Sequence, residues 1–202
     1  MADDERTSAA VLERLRGGDQ AALGELFAEH RDRLRRMVEL RIDHRLKGRV
    51  SPSDVLQEAY IDALKRVPHY FAKPDQSFFG WLRLVVGQRL ADVHREHLGA
   101  AKRDAGREVG LAPAADSGCL AGFLAGHLTS PSGAAQRAEA VLGVERALDQ
   151  LDPTDREILA LRHFEELSNG ETAEALGIQP AAASKRYVRA LARLKQLIEG
   201  EP

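Results

Sequence analysis

The stretch Ser168–Ile198, SNGETAEALGIQPAAASKRYVRALARLKQLI, restricts the fold more than any other part of the chain, because it reads as two helices joined by a tight turn. Ser168 with Glu171 three residues on forms a capping box, in which each side chain satisfies an orphan N–H at the other residue, so a short helix begins there. Gly177 ends it, since glycine accepts the left-handed backbone by which a chain leaves a helix. Pro180 suits the first turn of the next helix, where no N–H is needed. Stepped at about 100° per residue, the second helix gathers Tyr187, Leu191, Leu194 and Ile198 into one packing stripe. Lys185, Arg186, Arg189 and Arg193 fall on the opposite side. A cationic helix presented by a shorter partner has the charge and shape to enter a major groove, with arginines reaching phosphates or guanine edges. The competing reading is a solvated amphipathic hairpin, because basic surface helices are common.

The formal net charge is only −2, so a nucleic-acid role must come from local segregation of charge. Segregation is present. The opening segment carries Asp3, Asp4, Glu5, Glu13, Asp19, Glu25 and Glu29, whereas Arg31, Arg33, Arg35, Arg36, Arg41, Arg45, Lys47 and Arg49 crowd the next stretch, where the acidic segment could screen them. At 202 residues the chain has room for one or two domains. A single cysteine, Cys119, excludes an intramolecular disulfide and a multi-cysteine zinc cage, which fits a reducing cytoplasm. No apolar run approaches the roughly 20 residues that cross a bilayer, and the start MADDERTSAA lacks a signal-peptide pattern. The expectation is a cytoplasmic protein without membrane insertion.

Helical periodicity runs from Thr7 to about Arg45, broken at Gly17-Gly18. Ser51-Pro52-Ser53-Asp54 starts a further helix, with Ser51 as cap. That helix buries Val55, Leu56, Ala59, Tyr60, Ala63 and Leu64, and leaves Asp54, Gln57, Glu58 and Ile61 on a free face that suits a partner. Five of the ten aromatic residues then cluster: Tyr70, Phe71, Phe78, Phe79 and Trp81 flank the loop 72–77. A helix from Trp81 places Leu82, Val85, Val86, Leu90 and Val93 inside and Arg83, Gln88, Arg89, Asp92 and Arg95 outward. Rings beside arginines suit the stacking of unpaired bases, although most of these rings are expected in the core. The Ala-, Gly-, Ser- and Pro-rich stretch from Gly99 to Gln136 reads as a linker, with Cys119–Leu128 apolar enough for a short docked helix. Helical period resumes at Ala138, and Asp152-Pro153-Thr154-Asp155 starts the helix that leads into the final pair. The expected fold is all-α: two small helical domains, 1–99 and 137–202, joined by a flexible linker over 100–136, the second ending in a helix-turn-helix.

Catalytic patterns are missing. There is no G-x-S-x-G elbow, no Walker-type phosphate loop and no strand to mount either. His94 and His97 stand three apart, compatible with a metal and with Cys119 as a conceivable third ligand, but the order H-E-x-x-H is absent. The pair Glu165-Glu166 reads as a solvated helix face. No enzyme activity, metal or other cofactor is expected.

Both halves resemble one family, the extracytoplasmic-function (ECF) type sigma factors of bacterial RNA polymerase, within the sigma-70 family. Asp54-Val55-Leu56-Gln57-Glu58 looks like the family's D-x-x-Q-E helix, which docks on the β′ clamp; the resemblance implies core-polymerase binding by Asp54, Gln57, Glu58 and Ile61. Phe79-Gly80-Trp81-Leu82, followed by Asp92 and Arg95, is similar to the segment that recognises and opens the minus-ten promoter element, with Gln88 in place of an asparagine. The resemblance implies contacts there by Phe71, Lys73, Phe78, Trp81, Gln88, Asp92 and Arg95, and a flipped base held by the loop from Phe71 to Ser77. Leu151 to Leu159 and the helix-turn-helix resemble the region that reads the minus-thirty-five element and meets the β flap, which implies DNA contacts by Ala182, Lys185, Arg186 and Arg189. The implied function is promoter-specific transcription initiation, with core polymerase and promoter DNA as partners and an anti-sigma factor or other regulator as a further candidate. The alternative is a helix-turn-helix regulator that binds duplex DNA without recruiting polymerase.

Overall fold

The computed structural model describes residues 2–72, 76–98, 113–128 and 134–200, and among them every extended element is helical. The fold is all-α. The chain forms two compact units, Met1–Val38 with His44–Ala112, and Glu39–Asp43 with Pro113–Pro202.

The first unit contains α1 (Ala2–Arg16), most of α2 (Gln20–Arg41), α3 (Pro52–Ala72) and α4 (Phe78–Leu98). Gly18, at φ 95°, makes the break between α1 and α2 in a left-handed conformation that costs glycine nothing. Asp19 accepts the Ala21 N–H at 3.1 Å, and Arg14 clamps the corner by donating to Asp19 at 2.7 Å and to Glu25 at 2.9 Å. Two of the acidic residues expected to screen the arginine-rich stretch are therefore engaged locally. The Arg14 hydrogen bond holds the Asp19 carboxyl below its usual range.

Ser51 caps α3, its Oγ accepting the Asp54 N–H at 3.1 Å. Val55, Leu56, Ala59 and Ala63 of α3 are buried, as are Leu23, Leu34, Met37 and Val38 of α2 and Leu82, Val85, Val86 and Leu90 of α4. At roughly 1.5–3 kcal/mol per fully buried large apolar side chain, this interface dominates the unit's stability. The α3–α4 corner is closed by aromatic packing, Tyr70 lying 5.3 Å from Phe78 and 5.2 Å from Trp81 between ring centres. Phe79 is buried against His30, with the Arg33 guanidinium 3.9 Å over its ring. Helix α4 starts at Phe78 rather than Trp81, and Arg83, expected on its outer side, is buried.

The second unit contains α5 (Ser117–Leu128), α6 (Ala134–Asp149), α7 (Pro153–Leu159) with a π-turn over Ala160–Phe164, α8 (Asn169–Leu176) and α9 (Pro180–Glu199). Helix α5 falls within the stretch read as linker and covers the docked helix foreseen there; 99–112 and 129–133 lie outside the described residues. Its Leu120 and Ala121 are fully buried beside Leu148, Ile158 and Leu159, and Phe123 meets Phe164 edge-on at 5.0 Å. The same unit holds a buried charge. Arg41 is enclosed and ion-paired with Glu157 and Glu165, whose opposite charges offset the desolvation of the guanidinium. Glu165 is thus 1% exposed instead of forming a solvated face, and Glu166 sits beyond the π-turn at φ 56°.

Candidate functional site

On α3 the sequence spacing sends Asp54, Gln57, Glu58 and Ile61 away from the core, and all four are exposed. Ile61 keeps 49% of its surface in water, an apolar centre flanked by two carboxylates and an amide. Glu58 also meets the neighbouring helix: Arg89 of α4 stands 3.6 Å from its carboxylate while Arg89 Nε donates to Asp62 at 2.9 Å. Asp62 is buried, so Arg89 is anchored at its inner end and reaches outward only as far as Glu58. Asp54 and Glu58 border a cleft of about 270 Å³ between α3 and α4, lined also by Arg49, Val93 and His97. Among the described residues, no cluster of three or more His, Cys, Asp or Glu could hold a metal.

The aromatic candidates divide. Phe78 and Trp81, which the family resemblance assigned to DNA, are 9% and 6% exposed and serve the core in this conformation, because they close the gap beside Tyr70. Phe71 is half-buried, with Arg16 over its ring at 5.4 Å. Lys73 lies outside the described residues, as does the loop segment 73–75. Gln88 and Arg95 are exposed on α4 and Asp92 is half-buried. Gln88 accepts from Arg66 of α3, and Arg95 pairs with Asp92 one turn earlier. Arg89, expected on the outward side of α4, is held instead between Asp62 and Glu58; Arg66 and Asp62 were not expected at the site, and Asp62, one turn beyond Glu58 on α3, was the available signal.

In the second unit the helix-turn-helix forms as its caps dictate. Ser168 Oγ accepts the Glu171 N–H at 3.2 Å, and the Glu171 carboxylate accepts the Ser168 N–H at 2.7 Å. Gly177 lies at φ 63°, ψ 33°, and Asn169 Nδ2 donates to Pro180 O at 2.9 Å, tying α8 to the start of α9. Tyr187, Leu191 and Leu194 face the core, and Tyr187 OH hydrogen-bonds His163 at 3.0 Å. Ile198, expected in the packed stripe, is 38% exposed, and the neighbouring Leu197 packs against the core instead. The outer surface presents Ala182, Lys185 and Arg189, with Arg186 half-buried. It is not purely cationic, since Val188 is 62% exposed there.

The arginines have an internal partner that the sequence did not disclose. Asp155 of α7, 7% exposed, accepts from Arg189 Nη2 at 2.9 Å and stands 3.9 Å from Arg186 Nε. Asp155 raises the Arg189 pKa, chiefly through that hydrogen bond. Asp152 caps α7 by accepting the Thr154 N–H at 2.9 Å, which holds its carboxyl below the usual range.

The family model described as ECF sigma factor matches residues 5–199. Over 197 residues the chain is 31% identical to the ECF RNA polymerase sigma factor SigD of Mycobacterium tuberculosis (strain ATCC 25618 / H37Rv), covering 96% of this chain and 84% of that protein. It is 27% identical over 191 residues to the RNA polymerase sigma factor CarQ of Myxococcus xanthus, covering 93% and 95% of the two chains. Among solved structures, CnrH in complex with the cytosolic domain of CnrY shares the fold at a TM-score of 0.55 and 21% identity, over 96% of this chain and 97% of that one.

Proposed function

The chain belongs to the ECF sigma factor family and is a sigma factor that directs RNA polymerase, and we propose that it divides the work between its two units. The α3 strip Asp54, Gln57, Glu58 and Ile61 docks on the β′ clamp of core polymerase. The α4 surface with Gln88, Asp92 and Arg95, together with Phe71 and Lys73, takes the opened minus-ten strand. Phe78 and Trp81 reach that strand only if the aromatic corner loosens, and otherwise shape its floor. Helix α9 reads the minus-thirty-five duplex through Ala182, Lys185, Arg186 and Arg189, while the unit's other surface meets the β flap. Residues 1–99 and 137–202 thus act as separate modules joined through 100–136.

No catalysis is assigned to the chain itself; it works in the cytoplasm beside polymerase, where an anti-sigma factor is a further partner. The observation that carries this reading is the α3 strip, one exposed apolar residue among acidic and amide groups on a helix whose other side is core. A plain duplex-binding regulator leaves that strip without a use. Run-off transcription with added core polymerase tests the proposal: specific start sites appear with the wild-type chain and vanish on charge reversal at Asp54 and Glu58. Retained start-site selection by that variant overturns the docking assignment.

A further inference from the structure

The cations of α9 do not share one electrostatic situation. Among the described residues, Lys185 and Arg193 are exposed and have no acidic partner. Arg189 is 65% exposed along its side chain, yet one edge of its guanidinium is held at 2.9 Å by a carboxylate that is itself only 10% exposed. Arg186, 33% exposed, shares the same oxygen at 3.9 Å. Asp155 belongs to α7, and α7 packs directly on α9. The anchor is therefore part of the core rather than a mobile surface acid.

Two physical consequences follow. A guanidinium already neutralised by a fixed carboxylate gains little from a phosphate and releases few counterions on binding. It still has five N–H donors in a rigid fork, of which the carboxylate engages one at Nη2, so the remaining donors are presented in a constrained direction. A fixed donor pair suits the O6/N7 edge of guanine, whereas a mobile cation suits phosphate. We infer that Asp155 is a positioning residue for sequence readout: it holds Arg189 against α9 so that this arginine reads a guanine edge in the upstream duplex, while Lys185 and Arg193 contact phosphates. The inference rests on the reading of α9 as the upstream-duplex helix, and it separates two roles within that helix.

The test uses reconstituted holoenzyme containing the full chain and a promoter library randomised over the upstream element, selected at several salt concentrations. Wild-type holoenzyme enriches guanine at one upstream position by about 5- to 140-fold, the range for one bidentate base contact. Asp155→Asn and Arg189→Ala both lose that enrichment at the same position and leave the other positions unchanged. Lys185→Ala keeps the guanine preference but lowers the slope of log affinity against log salt by about 0.9, and Arg189→Ala changes that slope much less. A merely structural role for Asp155 would weaken binding to every sequence alike. Arg189→Ala alters an exposed side chain, so the readout survives even where Asp155→Asn fails to fold. Full guanine preference in either variant, or a salt slope in Arg189→Ala as reduced as in Lys185→Ala, overturns the inference. A wild-type selection with no upstream preference at all removes the α9 reading and this inference with it.

Discussion

Truncating Ile61 to alanine isolates the apolar part of the proposed docking strip. Full burial of an isoleucine side chain is worth about 1.5–3 kcal/mol. In the free chain Ile61 is 49% exposed, so about half of that, roughly 0.7–1.5 kcal/mol, is still to be gained when a partner covers it. Ile61→Ala forfeits most of this gain and should raise the dissociation constant for core polymerase about 3- to 12-fold. The half that is already buried contributes a similar roughly 0.7–1.5 kcal/mol to folding, offset in part by the higher helix propensity of alanine, so the variant should remain folded. The flanking carboxylates act differently: Asp54→Asn with Glu58→Gln should slow association and flatten its salt dependence more than it speeds dissociation, as expected for rim charges. The assay is competition of unlabelled variants against a fluorescent wild-type chain for core polymerase, read by anisotropy at fixed salt. Val188→Ala is the control, since Val188 is more exposed, at 62%, but lies on α9. Equal affinity of Ile61→Ala and wild type, or equal weakening by Val188→Ala, would show that the apolar centre of the α3 strip does not dock.

Ser168→Ala removes one half of the α8 capping box and should cost about 1 kcal/mol, seen as a fall of a few degrees in the melting temperature of the second unit; an unchanged melting temperature would mean the cap contributes nothing here. Leu148→Ala empties a fully buried site between α6 and its neighbours and should cost 2–5 kcal/mol on a urea unfolding curve, an expectation that a loss below 1 kcal/mol would contradict. The Asp152 carboxyl has a folded pKa below its unfolded value of about 3.9, so its stabilisation is complete above that value and is lost as pH falls through the folded one. Asp152→Asn keeps the cap without the titration and should flatten the loss of melting temperature as pH falls below about 4. Parallel acid curves for the two proteins would reject the assignment.

Helix ends and helix faces were open to reading because they are decided within one or two turns of chain. Ser168 and Glu171 cap the same turn they belong to, Gly177 answers a purely local demand for left-handed backbone, and the exposed row from Asp54 to Ile61 follows from the 3.6-residue period alone. The apolar stretch at Cys119–Leu128 likewise announced α5 inside a segment that otherwise reads as linker.

Tertiary structure decided which charges are spoken for. Arg41 and Glu157 are 116 positions apart, Arg189 and Asp155 are 34 apart, and Arg89 and Asp62 are 27 apart. No local pattern marks such pairs, because a carboxylate that faces an arginine across two packed helices looks in sequence like any solvated acid. The same holds for Phe78, Trp81 and Arg83, whose burial depends on the α3 and α4 surfaces that meet them. The sequence by itself therefore determined where the helices lie and which faces are apolar, through short-range backbone and period rules. Only packing settled which arginines remain free to meet an outside partner, since the strength of a charge depends on what the fold places beside it.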